Sequence, residues 1–143
     1  MSTTKTFSLA NVLSITTGRL CCDMDGVYKI LNHMTGDSLF THQLPRAGRW
    51  AGPLLLARYP QLEAAGSAKN LERLSELVNN AKARGESPME GVKMWLGWLR
   101  ESSMQILSES YEIPSYIDRW LSLNPMDELV NMVGEEKIIT VKP

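Results

Sequence analysis

The stretch Asp23-Met24-Asp25-Gly26-Val27-Tyr28-Lys29-Ile30-Leu31-Asn32-His33-Met34-Thr35-Gly36 decides the fold class, because it is a helix with both ends written into the chain. Asp23 carries the short carboxylate that satisfies orphan amides in a first turn. Val27, Tyr28, Leu31 and Met34 recur at helical spacing, and Gly36 is the residue type that ends a helix in the left-handed conformation. The same grammar extends outward. Ser8 caps a short helix with Leu9, Val12 and Leu13 on one face, and Gly18 stops it. Ser67 opens a long amphipathic helix with Leu71, Leu74, Leu77, Val78 and Ala81 on its stripe, ended by Gly85. Gly52-Pro53 reads as the start of a turn or two of helix through Leu54 to Tyr59, which Pro60 ends.

Two starts are better specified still. Ser87-Pro88-Met89-Glu90 and Asn124-Pro125-Met126-Asp127 each offer a capping side chain, proline at the first helical position and an acid two residues later. The first launches a helix with Val92, Trp95, Leu96 and Leu99 inward, continuing through Ile106 and Leu107 past a weak point at Ser102-Ser103. The second launches a short helix with Leu129, Val130 and Val133, stopped by Gly134. Between them, Ile113-Pro114 precedes a short helix containing Tyr116, Ile117, Trp120 and Leu121. Lys137 to Val141 alternates and is β-branched, so it reads as a strand, and a strand needs a partner: Thr4 to Phe7 or Leu39 to Thr41. The expected fold is therefore mainly α (α+β with a minor β ribbon). It is a compact single domain over 1–143, with five to seven short and medium helices and a C-terminal strand. Its motif-bearing N-terminal part runs over 1–62 and its helical part over 67–143.

A chain of 143 residues suits one core, and one that buries about two-thirds of its unfolded surface. With 43% hydrophobic and 22% charged residues it has the composition of a soluble globular protein, and no apolar run approaches the roughly 20 residues that would span a bilayer. Met1-Ser2-Thr3-Thr4-Lys5 lacks the apolar run and cleavage site of a secretory signal, so the expected location is the cytoplasm, with no membrane partner. Cys21 and Cys22 are adjacent. In a reducing compartment they read as buried thiols; the alternatives are half of a zinc site completed by the two histidines, and redox chemistry through a strained vicinal ring.

The formal net charge of −1 hides an asymmetry. Residues 1–70 carry seven basic and four acidic side chains, whereas residues 71–143 carry eight and twelve. No Asp or Glu lies between Asp37 and Glu63, while Arg46, Arg49 and Arg58 do, alongside His42, Trp50 and Tyr59. Arginine among aromatic rings suits a protein interface or an anionic ligand, and equally a basic face paired with the acidic second half of the same chain. Three arginines are too few for general nucleic-acid binding.

Polar side chains crowd the same region. Thr16, Thr17, Arg19, His33, Thr35, Asp37, Thr41, His42, Gln43, Arg46, Arg49 and Trp50 form either a buried hydrogen-bond network or a binding site. A catalytic version would use His33 or His42 as base, Asp37 to orient it, Thr35, Thr41 or a cysteine as nucleophile, and Arg19 or Arg46 to hold an oxyanion. A simpler account has Thr35 and Asp37 satisfying a loop and His33 partly buried and hydrogen-bonded. The sequence contains no glycine-rich phosphate loop, no G-x-S-x-G elbow, no H-E-x-x-H and no paired C-x-x-C. The balance is against an enzyme, and no cofactor or metal is expected. Trp95 falls in phase with Val92, Leu96 and Leu99 and reads as core. Trp98 is less in phase, and exposed beside Met94 it would anchor an interface or a homo-oligomer.

Three blocks stand in fixed order: Leu13-Ser14-Ile15-Thr16-Thr17-Gly18-Arg19-Leu20; Asp25-Gly26-Val27-Tyr28 to Ile30-Leu31-Asn32-His33-Met34-Thr35-Gly36-Asp37; and Leu39-Phe40-Thr41-His42-Gln43-Leu44-Pro45-Arg46-Ala47. Together they resemble a small uncharacterised domain family of tailed-phage and prophage proteins. The likeness covers the first third of the chain, and more loosely Pro53-Leu54-Leu55 to Pro60-Gln61-Leu62. The resemblance implies a phage protein acting in a bacterial cytoplasm and brings no catalytic role. The expected function is a non-enzymatic accessory protein that binds and inhibits a bacterial target such as a defence system, in the manner of an anti-CRISPR. Two alternatives differ in class: a binder or hydrolase of a small anionic ligand such as a nucleotide signal, held around Arg19, His33, His42 and Arg46, and a structural or assembly component of the virion.

Overall fold

The computed structural model describes residues 3–102 and 107–128. Within them the protein is mainly helical, with one small antiparallel ribbon. The helices begin and end at the caps that the sequence marks. In α1 (Leu9–Thr17) the Ser8 hydroxyl accepts from the Asn11 amide at 3.2 Å, and Gly18 closes the helix at φ 71°. In α2 (Met24–Thr35) the Asp23 carboxylate accepts from the Gly26 amide at 2.9 Å. Gly36, at φ 77°, turns its own amide back onto the Asn32 carbonyl. Ser67 caps α4 (Ala68–Ala83) through the Asn70 amide. Helix α5 (Pro88–Ser102) starts at its proline, where the Ser87 hydroxyl accepts from the Met89 amide.

Helix α3 (Leu44–Arg58) is longer than the sequence suggests. The stretch expected to begin at Gly52-Pro53 is the last seven residues of a 15-residue helix that starts at Leu44-Pro45, one short turn (Thr41–Gln43) after the α2 exit. Pro45 sits where its missing N–H costs nothing. Pro53 lies inside the helix and withdraws the amide that would bond the Arg49 carbonyl.

The ribbon pairs β1 (Thr4–Ser8) with β2 (Ser110–Pro114), in register Phe7 to Tyr111 and Lys5 to Ile113. Thr4 to Phe7 is thus a strand, and its partner is the segment that ends at Ile113-Pro114, just before the short helix expected to contain Tyr116, Ile117, Trp120 and Leu121. That helix is a single turn at Ile117–Arg119, because Tyr111 and Ile113 alternate with exposed neighbours and point into the core. The C-terminal strand expected at 137–141 lies outside the described residues, as do the continuation of α5 through 103–106 and most of the helix expected after Asn124. That last start is helical at 125–128, where the Asn124 side-chain oxygen accepts from the Met126 and Asp127 amides.

One continuous core joins these elements. Val12, Leu13, Ile30, Leu31, Met34, Leu55 and Ile113 fill it between α1, α2, α3 and β2. Helices α4 and α5 form an antiparallel hairpin whose fully buried Trp95 donates its indole N–H to the Asn70 carbonyl at 2.8 Å. Trp98 is half-buried, with the Arg73 guanidinium over its ring, so it is not the exposed anchor that its phase allowed.

The hairpin closes at Gly91. A β-carbon there would stand 2.6 Å from the Leu77 carbonyl oxygen and 2.6 Å from the Val78 α-carbon, both backbone atoms that cannot swing aside. Gly91→Ala is therefore expected to destabilise the fold by about 3 kcal/mol, the upper part of the overpacking range, despite alanine's better helix propensity. Thermal unfolding followed by circular dichroism checks this, and an unchanged or raised Tm would refute the close packing of α4 on α5.

Candidate functional site

Helix phase divides the polar block into two groups. The first faces the C-terminal segment at 110–128. His33 places Nε2 2.7 Å from the Ile113 carbonyl, and His42 places Nε2 2.7 Å from the Pro125 carbonyl. A carbonyl only accepts, so both rings carry their proton on Nε2. The Trp120 indole donates to Asp37 Oδ2 at 2.7 Å, and the Trp50 indole donates to the Arg119 carbonyl at 3.0 Å. Thr35 stays within its helix exit, donating to the Leu31 carbonyl and accepting from the Asp37 amide.

The centre of this group is Glu128, only 4% exposed. Gln43 Nε2 donates to Oε2 at 2.7 Å, and Arg46 Nε donates to Oε1 at 2.6 Å. The Gln43 amide oxygen is itself held by the Phe40 N–H, and the Arg46 guanidinium lies 4.0 Å above the Trp120 ring. Burial pushes the Glu128 carboxyl up, but the Arg46 and Gln43 hydrogen bonds, with the Arg46 and His42 charges, outweigh it and hold the group below its ordinary value. Arg19, His33, His42 and Arg46 are therefore not gathered around one ligand: three are spent on the C-terminal segment, and Arg19 is exposed beyond the end of α1.

The second group lines a groove of about 650 Å³ between the end of α1, the start of α2 and one face of α3. Thr16, Thr17, Thr41 and Arg49 belong to it. Thr17 Oγ1 donates to the Leu13 carbonyl, and Thr41 Oγ1 lies 2.5 Å from the Tyr28 hydroxyl. Thr16 Oγ1 is buried without a hydrogen-bond partner among the described residues. The Arg49 side chain is exposed and has no hydrogen bond or ion pair among them. Everything else in the lining is apolar or small. Val27, Leu31 and Leu44 make the floor, and Leu20 (53% exposed) and Met24 (44%) make the rim.

Gly48 and Gly52 form the α3 wall. A β-carbon on Gly48 would meet nothing within 4 Å, and one on Gly52 only the Ile15 carbonyl at 3.7 Å. Packing requires glycine at neither position, although each costs the helix about 1 kcal/mol relative to alanine. What their missing side chains leave is the open groove. In sequence Gly52 reads only as a helix start, and none of Leu20, Met24, Gly48 and Gly52 reads as a site residue. The available signal was the four-residue spacing of the two glycines, which shares a face only if 44–58 is read as one helix.

Chemistry for a nucleophile is weak here. Cys21 and Cys22 are free, and the Cys21 thiol is pushed up to about 11, first by burial and then by the neighbouring Cys22. Burial raises the Cys22 thiol as well. Both are protonated at neutral pH and so poorly nucleophilic. Among the described residues, no group of three or more His, Cys, Asp and Glu side chains is placed to hold a metal ion.

Residues 7–65 match the family model of a domain of unknown function (DUF7736). The matched stretch contains β1's end, α1, α2 and α3, and with them the whole groove lining. No curated protein and no solved structure matches the chain at a significant level.

The Glu128 contacts generate a signed pH dependence. A carboxyl held below its ordinary value of 4.5 contributes stability that is fully present above that pH and is lost as pH falls through the lowered folded value. Glu128→Gln, which leaves Arg46 without its counter-charge, is expected to cost about 3 kcal/mol at pH 7. The gap between wild type and Glu128→Gln should narrow as pH falls below 4.5. Urea unfolding of both proteins from pH 7 to pH 3 checks it; a gap independent of pH would show that the carboxylate is not what holds the segment.

Proposed function

We propose that this chain is a phage or prophage protein that works by binding: a non-enzymatic accessory protein that occupies a bacterial target in the host cytoplasm and inhibits it. A defence system is the class of target, as for an anti-CRISPR inhibitor. One observation carries the binding half of this reading. An open, largely apolar groove of about 650 Å³, with apolar side chains exposed on its rim, lies inside the stretch that matches the family model. Groups of this kind are left wet only at a cost, and contiguous exposed apolar surface of this sort marks interaction sites. The groups that catalysis would need are committed elsewhere: both histidines to backbone carbonyls, Asp37 to Trp120 and Arg46 to Glu128. The phage origin rests on the resemblance of the three sequence blocks and the inhibitory role on analogy with other small phage proteins that lack catalytic machinery.

The test is purification of the tagged protein from infected or lysogenic cells, followed by mass spectrometry of everything that elutes with it. The expected result is a bacterial protein at fixed stoichiometry whose activity falls when the purified chain is added. A nucleotide released on denaturation with no protein partner, or recovery of the chain as a component of purified virions, would overturn the proposal.

A further inference from the structure

We infer that the groove between α1, α2 and α3 takes one amphipathic helix of the target protein, and that a carboxylate on the flank of that helix pairs with Arg49. The inference rests on the binding reading above and names the chemistry of the partner at that site.

Charge complementarity comes first. Of the three arginines in the acid-free stretch from 38 to 62, Arg46 is paired with Glu128, and Arg58 donates to the Glu112 carbonyl at 3.1 Å. Arg49 lines the groove with no partner among the described residues, and no Asp or Glu lines the groove with it. An exposed guanidinium beside an apolar trough selects an occupant that brings its own anion, since burying the charge unpaired would be costly.

The shape of the trough selects a helix. Gly48 and Gly52 are four residues apart on one face of α3, so a second helix can approach that face closely and run along it, as helices do when ridges meet grooves. The α3 wall runs from Leu44 to Leu56, about 20 Å at the helical rise, enough for an occupant of three to four turns. An extended peptide would need an unpaired strand edge, and the ribbon is made of β1 and β2 rather than of any groove element. A small anion would satisfy Arg49 but leave Leu20 and Met24 exposed on the rim; a helix with apolar residues at i, i+3, i+4 and i+7 covers both.

The experiment is photocrosslinking inside the host with the full chain. A benzoylphenylalanine is placed at Leu20 on the rim or, as a control, at Lys93 on the exposed face of α5, and the crosslinked peptides are mapped by mass spectrometry. The expected result is crosslinking from position 20 and not from 93, to one helical segment carrying an acidic residue. That crosslink should be lost in Gly48→Phe, which fills the trough, and in Arg49→Glu. It should return when the acid on the mapped segment is changed to arginine in combination with Arg49→Glu. Unchanged circular dichroism and Tm of Gly48→Phe and Arg49→Glu control for folding. A target that crosslinks from position 93 and not from position 20 overturns the groove assignment while leaving the binding reading intact. A mapped segment that is not helical, or charge reversal without rescue, also overturns it. Absence of any protein partner from either position removes the binding reading itself.

Discussion

A buried carboxylate organises this protein. Glu128 is almost wholly out of water, and a lone charge there would cost several kcal/mol, so the chain must bring it a cation and donors. Arg46 answers from the first turn of α3 and Gln43 from the short turn just before it, and the same guanidinium stacks on Trp120. Trp120 in turn reaches Asp37, and Trp50 packs against its ring at 5.0 Å while donating to the Arg119 carbonyl. The segment from 110 to 128 is therefore tied along its length to residues 33–50. Three of those ties, from His33, His42 and Trp50, are to its backbone carbonyls, which any residue would present. That explains why a segment with little regular structure can hold a fixed path across the helical core.

Much of the architecture was legible because it is local. Asp23, Ser8, Ser67 and the Ser87-Pro88 start act within one turn of themselves, and so do Gly18 and Gly36. The ribbon was legible only on one side. Thr4 to Phe7 reads as one of two candidate partners for a strand at 137–141, but its partner in the ribbon sits more than a hundred residues away at 110–114, and Ile113-Pro114 looks like the lead-in to a helix when only the proline is weighed. The alternation of Tyr111 and Ile113 was the competing signal, and the core decided for it. Helix α3 was obscured by its own groove: Pro45, Gly48, Gly52 and Pro53 are all breakers on paper. Tertiary contacts through Ala47, Ala51 and Leu55 hold the helix together across them.

The candidate site was legible in composition and not in geometry. Arg46 and Arg49 are three residues apart and identical in type, yet helical phase puts one beside Gln43 and Trp50, toward the C-terminal segment, and the other beside Pro45, Gly48 and Gly52, toward the groove. A polar cluster in sequence cannot reveal that split until the helix is known, because network and site use the same side chains. The sequence reading offered the two as alternatives. The residues divide between the contacts to the C-terminal segment and the lining of the groove, and the apolar half of the groove went unnoticed because Leu20 and Met24 look like ordinary core positions.

The position of the α4–α5 hairpin bears on how the groove can work. Ala65 is buried, and a β-carbon on Gly66 would stand 3.6 Å from the Thr17 methyl group, so the chain leading into α4 braces the end of α1. The opposite wall, α3, is fixed by the clamp on Glu128, and α2 is fixed by the His33 and Asp37 contacts. All three walls are thus held by contacts that an occupant of the groove need not touch. A cleft built this way does not have to be ordered by what enters it, so less of the interaction free energy is lost to ordering the binding surface. The two helical glycines that keep α3 bare and the apolar rim that stays wet are each a liability in the free protein. Both fall at the same cleft, inside the stretch that matches the family model and away from the clamp. That coincidence is best explained if the cleft is meant to be filled.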